Sequence, residues 1–262
     1  MELLPVELIR FNQKKIDEID DLTKSIYRLI IFSRLHYADD LLDSYMTGMN
    51  DMKALLSIKN AQMEAQTEEE AARYLSHLKI ALNLVFEEIS LHHRFHREVQ
   101  LFQLFRLISP ETNAIHPNRY RDTLVQVGGH LGPEPGRVPQ LVSDLFSNLE
   151  SIPNTIIRAI YFHHELVRIH PFVDGNGRVA RIAKNWILMF DLYPPIFIND
   201  VSQKMEYLSV LGRSFKELLS HPGQWNRHTE AFFNQELDRL LGNASTLYEM
   251  VNRVGFRRGK QN

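Results

Sequence analysis

Twelve consecutive residues, His170-Pro171-Phe172-Val173-Asp174-Gly175-Asn176-Gly177-Arg178-Val179-Ala180-Arg181, bring together the parts needed to handle a phosphorylated substrate. His170 can take up a proton near neutral pH. Asp174 is a hard oxygen ligand, suited to a magnesium ion carried by a nucleotide. Gly175 and Gly177 let backbone approach a ligand closely and permit positive φ. Arg178 and Arg181 are three apart on one helix and share a face. Their planar guanidiniums match phosphate oxygens. The chemistry this set suits is attack of a hydroxyl on a phosphate, with cations stabilising charge on the transferring and leaving groups.

Two apolar-periodic segments must position these residues. Ile156, Ile157, Ile160, Tyr161, Leu166 and Val167 predict a largely buried helix from about Thr155 to about Ile169, with Asn154 as its N-cap. Pro171 disfavours helical geometry at His170 and ends that helix there. Val179, Ile182, Ala183, Trp186, Ile187 and Phe190 predict a second helix. Gly175-Asn176-Gly177 therefore feeds a helix N-terminus, where unpaired N–H groups and the helix dipole attract anions. The loop has the ingredients of a phosphate nest but not the P-loop pattern.

The run resembles the Fic-family motif His-x-Phe-x-Asp/Glu-Gly-Asn-Gly-Arg-x-x-Arg at every fixed position. The resemblance implies a mostly α fold: a Fic-type helical core, a short β-hairpin flap and an N-terminal helical subdomain. It implies transfer of AMP from ATP to a protein hydroxyl (Ser, Thr or Tyr), with release of pyrophosphate. By it, His170 deprotonates the acceptor and Asp174 holds Mg²⁺ against the α- and β-phosphates. Gly175, Asn176 and Gly177 form the anion-binding turn. Arg178 contacts the β-phosphate, Arg181 the γ-phosphate, and Phe172 anchors the loop by packing.

The resemblance covers about residues 110–240. The segment from Asn118 to Gly129, turning at Gly132-Pro133, reads as a short hairpin. It resembles the flap near residues 120–132 with which Fic proteins hold a target peptide by strand addition. Lys204-Met205-Glu206-Tyr207-Leu208 resembles the segment lining the adenine pocket, which makes Tyr207 a stacking candidate. The stretch from Gln224-Trp225 to Phe232-Phe233 resembles the closing helix, with its aromatics in the core. Many family members carry an inhibitory Ser/Thr-x-x-x-Glu helix followed by Gly or Asn. Here Ser33 is followed by Tyr37 at the Glu position, with Asp39 and Asp40 out of register. Ser245 to Glu249 fits the spacing but is followed by Met250, so Glu249 is a candidate inhibitor.

The expected organisation is an N-terminal helical region (1–108), a Fic domain (109–242) and a C-terminal helix and tail (243–262). Residues from Ile19 to Leu42 are helical in pattern. Thr67-Glu68-Glu69-Glu70 forms a capping box that opens a long helix to about Phe105, and Pro110 then breaks the pattern. His163 and His164 are adjacent on a helix, point in different directions and lack metal-ligand spacing, so they read as structural. Arg253, Arg257, Arg258 and Lys260 read as a solvated tail.

A net charge of −2 gives no strong field for nucleic acid or membrane. The absence of cysteine excludes disulfides, cysteine nucleophiles and thiolate metal sites. No signal peptide and no long apolar run is found, so a cytoplasmic protein without a membrane span is expected. The expected partners are ATP and an unidentified target protein, with self-modification and homo-oligomerisation left open. Two alternatives stand beside AMP transfer. In one, the same site moves another phosphate-containing group or removes AMP; in the other, the chain is a non-catalytic, nucleotide-responsive module.

Overall fold

The computed structural model describes residues 1–37, 58, 61, 65–127, 129–198 and 200–258. Its helices are α1 (Gln13–Tyr37), α2 (Glu68–Ser90), α3 (Glu98–Ile108), α4 (Pro110–Ile115), α5 (Val138–Ser151), α6 (Thr155–Ile169), α7 (Asn176–Phe190), α8 (Val201–Ser220) and α9 (Arg227–Arg258). Two short strands, β1 (Gln126–Val127) and β2 (His130–Leu131), pair antiparallel with Gln126 opposite Leu131 and Val127 opposite His130. A helical core with a small hairpin is the architecture expected from the sequence.

The centre of the molecule is the α6–α7 pair, joined by the short loop 170–175. Nearly every residue of both helices is buried, from Ile156 to Ile169 and from Arg178 to Met189 with few exceptions. A helix buried all round has neighbours on every side. Here α5 packs on α6, α2 and α3 pack on α7, and α8 and α9 pack on each other, with α1 lying along α9. The N-terminal region shares this core. Leu4, Ile16, Ile19, Leu78, Leu82, Leu101 and Phe105 belong to the same buried cluster as Phe172 and Val179.

The caps follow the local sequence. The Asn154 side chain accepts from the Ile157 amide at 3.0 Å, which opens α6 where expected. Thr67 accepts from the Glu70 amide at 3.1 Å. Glu70 reaches back to the amide of Gln66 rather than to that of Thr67, so the box closes one residue further out.

One expectation needs correction. The long helix from residue 68 to about residue 105 is two helices, α2 and α3. The break is made by tertiary contacts: His92 is left-handed at φ 59, and the Gln100 side chain bonds His96 N, Arg97 N and Arg94 O at 2.9–3.0 Å. Trp186 donates to His93 O at 3.1 Å, and Phe95 turns inward against Phe162 and Trp186. The pattern does break at Pro110, which opens α4. Helix α9 is continuous through residue 242, so Phe232, Phe233 and the arginines at 253, 257 and 258 lie on one helix.

Helix α1 begins six residues before Ile19 and runs to Tyr37; the rest of its expected length lies outside the described residues. No helix among the described residues is long and apolar enough to cross a membrane.

Phe172 ties the motif loop to this scaffold. Its ring is fully buried and stacks on Phe105 at 4.0 Å between centroids and 3° between planes. Phe102 and Tyr120 each approach it at 5.8 Å. Phe172→Ala is expected to cost about 3–5 kcal/mol, read as a lower midpoint in urea unfolding with an unchanged slope. A loss below about 1 kcal/mol would show that the ring is not an anchor.

Candidate active site

The site is built where α6 ends and α7 begins. His170 caps α6 in the left-handed conformation (φ 52, ψ 61), and its amide still bonds Leu166 O at 2.9 Å. A non-glycine residue rarely adopts that conformation. Here it turns the chain sharply into Pro171 and leaves the half-buried imidazole at the rim.

Asn176 closes the loop from inside. Its side chain accepts from the Phe172 amide at 2.9 Å and donates to Phe172 O at 2.8 Å. The asparagine side chain thus acts as a staple within the loop. Gly175 precedes the helix at φ 80, and a Cβ there would lie 2.1 Å from Ser109 Oγ. Both the backbone conformation and the close approach of the α3–α4 junction require glycine. Gly177 lies in the first turn of α7.

The charged groups are more enclosed than their sequence suggests. Arg178 and Arg181 are 1% and 4% exposed. The Arg178 guanidinium sits 3.9 Å above the Tyr74 ring, donates to Asp174 at 2.6 Å and donates to Ile108 O at 3.2 Å. Asp174 keeps a half-exposed side chain, and the oxygen paired to Arg178 also receives Ser109 Oγ at 3.5 Å. One accessible carboxylate at a helix N-terminus fits a magnesium ion that brings its own phosphate ligands. It does not fit a resident all-protein metal cage, and no acidic or histidine cluster of that kind exists among the described residues.

Beneath the arginines lies a buried polar group from four helices. Lys184 on α7 pairs with Glu236 on α9. Arg239 donates to Glu236 at 2.6 Å, and His163 on α6 lies 3.6 Å from it. His163 bonds the Tyr207 hydroxyl of α8 at 3.0 Å. Burial alone would raise the Glu236 carboxyl, but Lys184, His163 and Arg239 together hold it well below its ordinary range. Burial, aided by Lys184, pushes His163 down to about 3. His164 bonds Glu165 at 2.7 Å and Ser214 at 2.9 Å, so both histidines are structural, as expected.

Tyr207, the stacking candidate, is 3% exposed and lies parallel to His163, 5.7 Å away, with Phe232 behind it. The next residue, Leu208, faces outward at 47% exposure. The expected aromatic therefore points into the polar core, because its hydroxyl completes the His163 pair.

Sequence reasoning missed Tyr74, Ser109 and Arg121, which come from outside the motif and carry no local signal. It also missed Lys184, whose one clue was its place three residues after Arg181.

Residues 94–188 match the model of the Fic/DOC family. This segment is a Fic-family domain. Protein adenylyltransferase Fic of Drosophila persimilis is 37% identical over 111 residues, which is 41% of this chain and 22% of that protein. The Drosophila melanogaster protein of the same name is 35% identical over 111 residues, 41% of this chain and 23% of its own length. The chain thus matches less than a quarter of the length of these relatives. Its fold is that of a Fic-domain-containing signaling protein from Bacteroides thetaiotaomicron (TM-score 0.71, 18% identity, 90% of this chain and 98% of that one). Fic-1 from C. elegans is similar at TM-score 0.66 and 17% identity, over 90% of this chain and 73% of that one. IbpAFic2 in complex with adenylylated Cdc42 is similar at TM-score 0.55 and 15% identity, over 89% of this chain and 71% of that one.

The buried histidines of the Fic domain give its stability a pH dependence. His163 titrates near 6.5 in the unfolded chain and near 3 in the folded one. Below about pH 6.5 the unfolded state gains a proton that the folded state refuses, so stability falls as pH falls. Glu165, held at about 2 by Arg168 and His164 against the opposing effect of burial, adds to the loss below about pH 4.5. The melting temperature should drop from pH 7 to pH 5, with up to about 1.4 kcal/mol lost per pH unit for each such histidine. His163→Gln should flatten that slope. A slope unchanged by the substitution would place the titrating group elsewhere.

Proposed function

We propose that this chain is a protein adenylyltransferase, moving AMP from ATP to a hydroxyl side chain of a target protein and releasing pyrophosphate. The observation that carries the reading is the placement of His170 at the left-handed end of α6, across a six-residue turn from the N-terminus of α7. A base and an anion-binding helix end then flank one small volume. The complete motif and the adenylyltransferase relatives support the same reading.

In this reading His170 accepts the proton of the acceptor hydroxyl. The oxygen bonds to the α-phosphorus, the bond from that phosphorus to the β-bridging oxygen breaks, and pyrophosphate leaves. The N–H groups at Gly175, Asn176 and Gly177 receive phosphate oxygens. Arg178 neutralises the β-phosphate and Arg181 the γ-phosphate. Asp174 would hold magnesium, which supplies charge neutralisation at the phosphates when bound. The residues that would hold the cation and the β-phosphate, Asp174 and Arg178, are paired with each other in this structure. The β1–β2 hairpin adds the target as an extra strand. The similarity to IbpAFic2, solved in complex with adenylylated Cdc42, supports a protein target.

The test is incubation of the purified chain with Mg²⁺ and α-labelled ATP, alone and with cell lysate, beside His170→Ala. Label on protein with wild type and at least a hundredfold less (about 10²) with the variant is expected. Label from γ-labelled ATP alone would assign phosphoryl transfer instead. Equal labelling by both proteins would remove His170 from the chemistry.

Self-inhibition by Glu249 is not supported. Asn243 of α9 bonds Pro195 O, beyond the C-terminal end of α7, whereas Glu236 lies beside Lys184. Glu249 follows Glu236 by about 20 Å along the helix, at about 1.5 Å per residue, and away from Arg181. Residues 33–37 end α1, and Asp39 and Asp40 lie outside the described residues. Glu249→Ala should leave ATP affinity and self-labelling within about twofold, a difference of roughly 0.4 kcal/mol. A rise of tenfold or more in labelling would restore the inhibitory role.

A further inference from the structure

Arg121 is buried, yet its hydrogen bonds all go to backbone carbonyls. Nε donates to His170 O at 2.7 Å, and Nη2 to Ile169 O at 3.3 Å. Nη1 donates to Thr123 O at 2.7 Å, and Nη2 also to Pro133 O at 2.7 Å. The Arg121 amide donates to Pro171 O at 2.9 Å. Thr123 and Pro133 are the two feet of the β1–β2 hairpin. One planar group therefore joins both feet to the last carbonyl of α6 and to that of His170.

Two further observations show that the site is built for this guanidinium. A Cβ at Gly132 would come 3.2 Å from Arg121 Nη2 and 3.1 Å from Val125 Cγ2, so the glycine leaves room for the fork. Tyr120, the preceding residue, is fixed by a 2.6 Å bond from its hydroxyl to Glu98 and by the Phe102 and Phe172 rings.

The physical need is clear. A helix C-terminus leaves carbonyls without partners; the His170 amide takes Leu166 O, and Pro171, which has no N–H, cannot cap a further one. A cation there is favoured by the helix dipole. Charge-assisted bonds to several carbonyls offset the burial of the guanidinium. A planar fork fixes directions as well as distances, which an ammonium cannot do.

We infer that Arg121 is a positioning residue that sets the offset between the target-binding hairpin and His170. The inference rests on the AMP-transfer reading for its consequence: a strand added to the hairpin brings its hydroxyl to the imidazole only when this offset is kept. Arg121 touches neither substrate nor the reacting atoms, and it acts through the backbones it joins.

The test compares the full chain with Arg121→Lys and, as a milder displacement that keeps the arginine, Gly132→Ala. Hydrogen exchange of the peptide 123–133 is measured alongside that of α6 and α7. Mg·ATP affinity is measured by calorimetry, and protein labelling from α-labelled ATP by autoradiography.

For Arg121→Lys, exchange across 123–133 should accelerate at least tenfold, with α6 and α7 unchanged. Labelling should fall at least tenfold while ATP affinity stays within twofold. Gly132→Ala should move both readouts in the same direction by less. Unchanged exchange in the hairpin would overturn the clamp. Faster exchange with full labelling would overturn the positioning role, as would ATP affinity and α6–α7 protection falling together with labelling. If wild type labels nothing, the AMP-transfer reading falls, and the exchange comparison alone then decides whether Arg121 joins hairpin and helix.

Discussion

Two fully buried helices meet at the loop 170–175, and their ends carry opposite partial charges. The carbonyl end of α6 and the N–H end of α7 are brought within a few residues of each other, although neither can satisfy the other through the turn. The chain resolves this with side chains. Arg121 takes the last carbonyl of α6 and that of His170, and Asn176 takes both backbone groups of Phe172. Phe172 gives the turn a fixed footing on Phe105. The shape of the motif loop is thus a by-product of how the reversal is solved.

The second constraint is electrostatic. Arg178 and Arg181 bring two permanent charges into a largely enclosed place, and Lys184 adds a third one turn later. Isolated charges there would be costly. Tyr74 covers Arg178 and Asp174 pairs with it, while Glu236 balances Lys184 and Arg239. The carboxylate that holds the buried group together comes from α9. The closing helix therefore helps to set the charge environment under the motif as well as filling the core.

Much of this was legible along the chain. The limits of α6, its Asn154 cap, the stop at Pro171 and the positive φ allowed at Gly175 follow from local rules, while the packing role of Phe172 came through the family resemblance. What could not be read came from contacts between distant residues. The break between α2 and α3 has no proline or glycine in residues 91–97, because Trp186, Gln100 and the core place for Phe95 impose it. Ser109 and Tyr74 meet the motif from other helices. The surroundings of Tyr207 were not legible because an aromatic at that spacing suits a base or a core equally, and its contact with His163 comes from another helix. Arg121 looked like one more polar residue in a loop.

The first residues of the chain are stitched into the central helix. The Leu4 amide donates to Glu165 at 3.4 Å, the Tyr161 hydroxyl donates to Leu4 O at 2.9 Å, and Arg168 donates to Glu2 O at 2.7 Å. Residues 94–188 mark the extent of the family-model match, but the buried core reaches beyond them. Cut out alone, that segment would expose the outer sides of α6 and α7 and take from Glu165, Tyr161 and Arg168 their bonds to the backbone of Leu4 and Glu2. Recombination or truncation at the kinship boundaries would therefore yield a fragment that keeps every motif residue and loses the solvent exclusion that gives them their properties.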